Sequence, residues 1–193
     1  MARTESTMLE LGSIAPDFNL PEPLTSENRA LKDLKGSKGT LVVFICNHCP
    51  YVIHILPTFV QMTMAYQSRG VNVVAISSND IVNYSDDSPE KMVALTKEYD
   101  FGFPYLYDES QSVAKAYQAA CTPDLYLFDE ALKLVYRGQF DASRPRNDVP
   151  VSGEDLNAAV TALVDGNRIS AEQIPSLGCN IKWKAGNEPE YFS

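Results

Sequence analysis

The stretch Phe44-Ile45-Cys46-Asn47-His48-Cys49-Pro50-Tyr51-Val52 joins an apolar, β-branched run to a run with helical spacing. Upstream, Thr40 to Cys46 is continuous and apolar, the pattern of a central strand buried on both faces. Downstream, Val52, Ile55, Leu56, Phe59, Met62, Thr63 and Tyr66 recur at helical spacing and predict a helix over Pro50 to Ser68, kinked at Pro57. Proline suits the first helical position, where its missing N–H costs nothing, and it drives the preceding residue out of helical geometry. Cys49 is therefore the expected N-cap, with its sulfur facing unpaired helix N–H groups. Amide donors and the helix dipole stabilise a negative sulfur, so Cys49 is expected to ionise below the ordinary thiol pKa of about 8.5. It is the candidate nucleophile. Cys46, three residues earlier in the turn, is placed to form a disulfide with it or to capture a sulfenic acid.

Outward from this junction the sequence alternates between strand and helix patterns. On the N-terminal side, Gly12 to Leu34 is interrupted by Pro16, Pro21 and Pro23 and leaves room only for an edge strand at Asp17 to Leu20. On the C-terminal side come a second buried strand, Val71 to Ser77, and an acidic loop, Asn79 to Asp87. Ser88 then reads as an N-cap with Pro89 at the first helical position, opening a helix to about Tyr99. Pro104 to Tyr107 is a short strand, and Asp108 with Gln111 resembles a capping box for a helix through Ala119. Asp124 to Phe128 and Leu132 to Phe140 read as an antiparallel hairpin. Ser152 with Asp155 caps a last helix to Asp165, stopped by Gly166. The expected architecture is an α/β three-layer sandwich over residues 1–166, a central mixed sheet flanked by helices. Residues 167–193 have no clear period and are expected to form a C-terminal tail packed on that domain.

With 193 residues, 45% of them hydrophobic, the chain can build a core without disulfides or metals, so its four cysteines are free for chemistry. A net charge of −9, from 16 Lys+Arg against 25 Asp+Glu, argues against nucleic acid and anionic membranes as partners. No window is long and apolar enough for a membrane span, and Met1 to Glu10 has no apolar segment of a secretory signal, so a cytoplasmic location is expected. In a reducing compartment, Cys46, Cys49, Cys121 and Cys179 are expected to be reactive, metal-binding or inert rather than permanently paired. A structural zinc site wants a second closely spaced ligand pair, whereas Cys121 and Cys179 lie 58 positions apart, so no metal is expected. No glycine-rich loop follows a strand, and no cofactor is expected either.

His48 could lower a neighbouring thiol pKa when protonated or be a bystander of the turn, and His54 is expected to be an exposed or satisfied helix residue. Asp80, Asp86 and Asp87 read as a solvated acidic loop. Cys179 lies in Leu177-Gly178-Cys179-Asn180-Ile181-Lys182-Trp183, an apolar island holding the only tryptophan. Docking of that island would bury it, and could bring Cys179 to Cys49 as a resolving thiol.

The strand, the CxxC, the proline-containing helix, the later Thr122-Pro123 and the hairpin resemble the thioredoxin fold. Ala15-Pro16-Asp17-Phe18 resembles the opening of peroxiredoxins, and the resemblance covers about residues 10 to 165. Cys46 to Val52, with Cys121-Thr122-Pro123-Asp124, is similar to the uncharacterised peroxiredoxin-like branch of the AhpC/TSA superfamily. The resemblance implies that the attacking cysteine is the one five residues after Phe44 and eight before Pro57, which is Cys49; the usual resolving position falls at Val52. It also implies that Pro123 is a cis-proline beside the active cysteine, presenting backbone at Thr122 and Pro123 for substrate pairing. Pro50 matches the proline that follows a peroxidatic cysteine. Against the peroxiredoxin pattern, the hydroxyl position is Cys46, and the peroxide-binding arginine position is Pro123. Arg137 and Arg144 could substitute but read as surface charges.

The implied function is a thiol-dependent oxidoreductase. Cys49 attacks a peroxide or a protein disulfide, Cys46 or Cys121 resolves the product, and a thiol reductant such as thioredoxin or glutathione completes the cycle. Cys121 is equally readable as a buried packing residue, and His48, Pro50, Thr122 and Pro123 are the candidate substrate contacts. The other reading is a redox-sensing or partner-binding module of the same fold with little turnover. A homodimer is compatible with either.

Overall fold

The computed structural model describes residues 3–192. The strands are β1 (Arg3–Glu5), β2 (Asn19–Glu22), β3 (Glu27–Ala30), β4 (Gly39–Phe44), β5 (Val71–Ser77), β6 (Tyr105–Tyr107), β7 (Cys121–Thr122), β8 (Asp124–Asp129), β9 (Leu134–Gly138) and β10 (Leu177–Asn180). The α-helices are α1 (Leu31–Leu34), α2 (Pro50–Ser68), α3 (Pro89–Glu98), α4 (Ser112–Ala116) and α5 (Glu154–Val164).

The central sheet has the order β6-β5-β4-β8-β9. β4 lies in its middle, parallel to β5 and antiparallel to β8, and the β8–β9 hairpin is antiparallel, so the sheet is mixed as expected. Every residue of β4 is buried, because alternate side chains enter two different cores. Leu41 and Val43 face α2 residues Val52, Leu56 and Phe59 and α5 residues Leu156 and Val160. Val42 and Phe44 face Leu31 and Leu34 of α1 and Val113 and Ala114 of α4. Helices thus cover both sheet faces, which makes the three layers. Each fully buried aliphatic side chain in them contributes on the order of 1.5–3 kcal/mol of transfer free energy.

Several local expectations are corrected. The strand expected at Asp17 to Leu20 lies at Asn19–Glu22 and pairs with β3 in a separate two-stranded ribbon, rather than edging the central sheet. The helix expected to run from Asp108 through Ala119 is only Ser112–Ala116, because Gln111 takes a left-handed conformation, φ 63°. Its amide is spent elsewhere: Gln111 donates to the carbonyls of Ser78 and Lys182 and ties the tail to the body. Asp108 still caps, accepting from Ala114 N–H at 2.9 Å. At α5 the N-cap is Gly153, not Ser152.

The tail is more than a drape. Leu177–Asn180 forms β10 between β1 and β7, an antiparallel three-stranded sheet built from the two chain ends and the segment before β8. Ile181 and Trp183 then enter the same core as α1 and α4. These strands have two to four residues each, too short to show a period in sequence.

Arg137, expected at the surface, is fully buried. Its Nη2 lies 3.1 Å from Asp124 Oδ2, and its guanidinium sits over the Tyr126 ring, 4.5 Å from the centroid. Tyr126 pairs with Arg137 across the hairpin, so the neighbouring strand supplies both the ring and the carboxylate that make burial tolerable.

Candidate active site

The cysteines gather where β4 ends and α2 begins. Cys49 is the N-cap of α2, with extended backbone (φ −72°, ψ 122°) and Pro50 at the first helical position, as the sequence implies. Its sulfur is fully buried and approaches the carbonyl of Thr122 at 3.1 Å. Thr122 precedes Pro123 through a cis peptide bond. The Thr122 hydroxyl lies 3.4 Å from Cys46 Sγ, and in the strand register Thr122 stands opposite Cys179. One residue therefore touches or pairs with three cysteines.

This arrangement sets the proton balance. The neighbouring thiols of Cys179 and Cys46, acting as donors, hold the Cys49 pKa far below the ordinary thiol value, with help from the Thr122 hydroxyl and the Val52 N–H and against the burial penalty. The contact with the Thr122 carbonyl favours the protonated thiol instead. The net direction is a Cys49 pKa well below the ordinary thiol value. Cys46 and Cys179 are correspondingly raised, each first by its interaction with Cys49 and then by burial. Cys121 stands apart: its thiol approaches the carbonyls of Pro123 and Ser176, and burial with the nearby Asp124 pushes its pKa well up.

The turn between the two leading cysteines is held by Asp87, which is fully buried rather than part of the expected solvated acidic loop. It accepts from the Asn47 backbone N–H and the Asn79 side chain, each at 2.8 Å, and its Oδ2 lies 2.8 Å from His48 Nδ1. That ion pair raises the His48 pKa above 6.5, against partial burial, and the imidazole stacks on Tyr84. The Asn47 side chain in turn accepts from the Tyr105 hydroxyl at 3.0 Å. Asp80, also expected in solvent, is buried as well. An Asp immediately before the Ser88 N-cap of α3 carries no sequence signal that it will fold back on the CxxC loop.

Cys46, His48 and Asp87 each present one ligand atom within 4.8 Å of the others, the one such grouping among the described residues. The Asp87 oxygens already serve Asn47, Asn79 and His48, so a cation would have to compete with those bonds.

The remaining expected contacts divide. Pro50 is exposed, whereas Thr122 and Pro123 are buried. The backbone edge that the resemblance assigns to a substrate is already paired with the chain's own β10, Cys179 opposite Thr122 and Asn180 opposite Cys121. The approach is tight: a Cβ on Gly178 would lie 2.0 Å from the Thr122 carbonyl oxygen.

Sheet order, the cysteine at the mouth of α2 and the cis-proline opposite it define a thioredoxin-like protein. The AhpC/TSA family model matches residues 11–137, and the chain belongs to that family. It is similar over 95% of its length to the crystal structure of an uncharacterized conserved protein from Geobacillus kaustophilus, with 50% identity, TM-score 0.93 and 97% of that chain covered. A hypothetical protein from Sinorhizobium meliloti 1021 is comparable, with 47% identity, TM-score 0.92 and coverage of 95% of this chain and all of that one. Among curated relatives, the thiol-disulfide oxidoreductase ResA of Geobacillus kaustophilus is 29% identical over 127 residues, 66% of this chain and 68% of its own.

Proposed function

We propose that the protein is a thiol-dependent oxidoreductase whose nucleophile is Cys49. The supporting observation is a buried cysteine at a helix N-cap whose thiolate is favoured by two neighbouring thiols. A disulfide is the preferred substrate class, in keeping with the name of the ResA relative. In the peroxiredoxin pattern the peroxide-binding arginine stands where this chain has Pro123, and the buried Arg137 is committed to Asp124. The Cys49 thiolate attacks one sulfur of the disulfide, forming a mixed disulfide and expelling one thiolate. Cys46 then loses its proton and attacks the Cys49 sulfur, expelling the second thiolate and leaving a Cys46–Cys49 disulfide. Two electrons pass from the protein to the substrate, and an external thiol reductant in a reducing, cytoplasmic compartment restores the dithiol. Cys121, with carbonyls rather than a sulfur as its thiol's partners, is left with a packing role in this reading.

The test is to mix reduced protein with one equivalent of a disulfide or of hydrogen peroxide, follow thiol loss, and map the linked cysteines by peptide mass spectrometry. Rapid loss with the disulfide, ending in a Cys46–Cys49 bridge, is expected. Rapid loss with peroxide alone would move the protein to the peroxidases. Loss no faster than a free thiol in both, or a product that thioredoxin and glutathione fail to recycle, would favour a sensor or binding module.

A further inference from the structure

A pocket of about 550 Å³ opens beside the cysteine cluster, lined by Arg3, Arg144 and Arg146 together with Pro50, Tyr51 and Cys179. Its volume is that of a small-molecule site rather than a crevice for one or two waters. The charge of its wall is opposite to that of the molecule. The chain as a whole carries −9, yet three arginines line this cavity and no Asp or Glu does.

None of the three arginines forms an ion pair among the described residues. Arg144 is held by uncharged acceptors, donating to the Asp141 and Ser143 carbonyls at 2.7 and 2.6 Å and to Gln139 Oε1 at 2.6 Å. Those bonds fix its position and leave its charge uncompensated. The nearby Asp141 carboxylate is engaged by the N–H groups of Ser143, Ser152 and Gly153 and the Ser143 hydroxyl, and does not line the pocket. Arg3 and Arg146 are exposed and free to swing onto a ligand.

The pocket also reaches the chemistry. Cys179 is the one of the four cysteines on its wall, and it stands opposite Thr122, whose carbonyl touches Cys49. An extended peptide cannot join the Thr122 edge, because β10 already pairs with it. A compact ligand is what the space accommodates.

From these observations, and resting on the reading of Cys49 as the redox thiol, we propose that this pocket selects the substrate: a small disulfide or thiol bearing carboxylates, held by Arg3, Arg144 and Arg146 with its sulfur directed at the cysteine cluster. Guanidinium–carboxylate pairing, often bidentate, supplies the orientation.

The test compares the rates at which the reduced protein reacts with oxidised glutathione, uncharged hydroxyethyl disulfide and cationic cystamine, each normalised to its rate with free cysteine. The wild-type protein is expected to favour oxidised glutathione over cystamine by about tenfold or more at low salt, with the preference shrinking as ionic strength rises. In an Arg3→Glu/Arg146→Glu double variant that ratio is expected to collapse or reverse, and in Arg3→Gln/Arg146→Gln to fall part of the way. Equal normalised rates in the wild type, or a ratio that both variants leave unchanged, overturn the proposal. Cys49→Ser run beside them separates the two ideas. If it is inert toward all three disulfides while the wild type shows no charge preference, the pocket assignment fails and the redox reading stands. If it reacts like the wild type, the nucleophile assignment fails by itself.

Discussion

A thiol buried without access to donors ionises reluctantly, so the state of Cys49 is decided by what surrounds its sulfur rather than by its burial. Replacing Cys49 by Ser is expected to bring disulfide exchange down to the rate of a blank without protein, whereas Cys46→Ser is expected to stop at the mixed disulfide, visible as a mass adduct on Cys49. The Asp87–His48 pair makes a separate, pH-dependent expectation. The folded His48 pKa lies above its unfolded value, so the stability from this pair is fully present below about pH 6.5 and is lost as pH rises through the folded pKa. Denaturant unfolding of Asp87→Asn should therefore show a deficit that is largest in mild acid and shrinks toward alkaline pH; a deficit independent of pH would deny the ion pair its role. Because the Asp87 oxygens are already engaged, elemental analysis of protein purified without chelator is expected to find less than one zinc per chain. The places of Cys49 and Pro50 at the start of α2 are legible in sequence because an N-cap and a first-turn proline are local features. Asp87 was not, since nothing in an acidic loop shows that one carboxylate will be buried against a turn 40 residues away.

At the scale of elements, the three-stranded sheet of β1, β10 and β7 decides what can reach the site. Gly178 lets β10 lie against β7 at a distance no side chain tolerates, with backbone as the obstacle. Gly178→Ala is expected to destabilise the protein by about 1–3 kcal/mol, as overpacking against a rigid neighbour does. It should also raise the Cys49 pKa by moving Cys179 away, and an unchanged thiolate titration in a destabilised variant would break that link. The buried pair in the β8–β9 hairpin gives a second measurement. Asp124→Ala leaves Arg137 charged and without its carboxylate, and is expected to cost about 3–5 kcal/mol in denaturant unfolding. Long elements with strong periods, β4, α2, β5 and the hairpin, were read from the sequence at nearly their observed limits. Of the short elements, β6 is found where the sequence puts it, whereas the helix after Gln111 is shorter than expected, because a side chain that looks like a capping partner instead binds the tail.

For the whole molecule, the two chain ends close over the cysteine junction, so sequence segments 170 residues apart share a hydrogen bond, as Ser176 N–H does with the Ser6 hydroxyl. Such long-range closure has no local signature, which is why Cys179 could be named as a candidate in the sequence while its station opposite Thr122 could not. The charge distribution is also a property of the whole: a chain of net charge −9 carries an arginine-lined pocket that reaches Cys179. A thiolate favoured by folding ties stability to pH as well. The lowered Cys49 pKa contributes stability that is full above the unfolded value of about 8.5 and is lost as pH falls through the folded pKa. The reduced protein should accordingly gain on its Cys49→Ser variant as pH rises from acid toward about 8.5.

The central claim is that Cys49 is a thiolate at neutral pH, and the ultraviolet absorbance of the thiolate reads this without requiring a reagent to reach a buried sulfur. The measurement is a pH titration of that absorbance in reduced wild-type protein minus the same titration in Cys49→Ser. A difference of one thiolate per chain, already present at about pH 7 and disappearing only in acid, is expected. A difference that first appears near pH 8.5 or above would show an ordinary buried thiol, and the assignment of Cys49 as an activated nucleophile would be wrong.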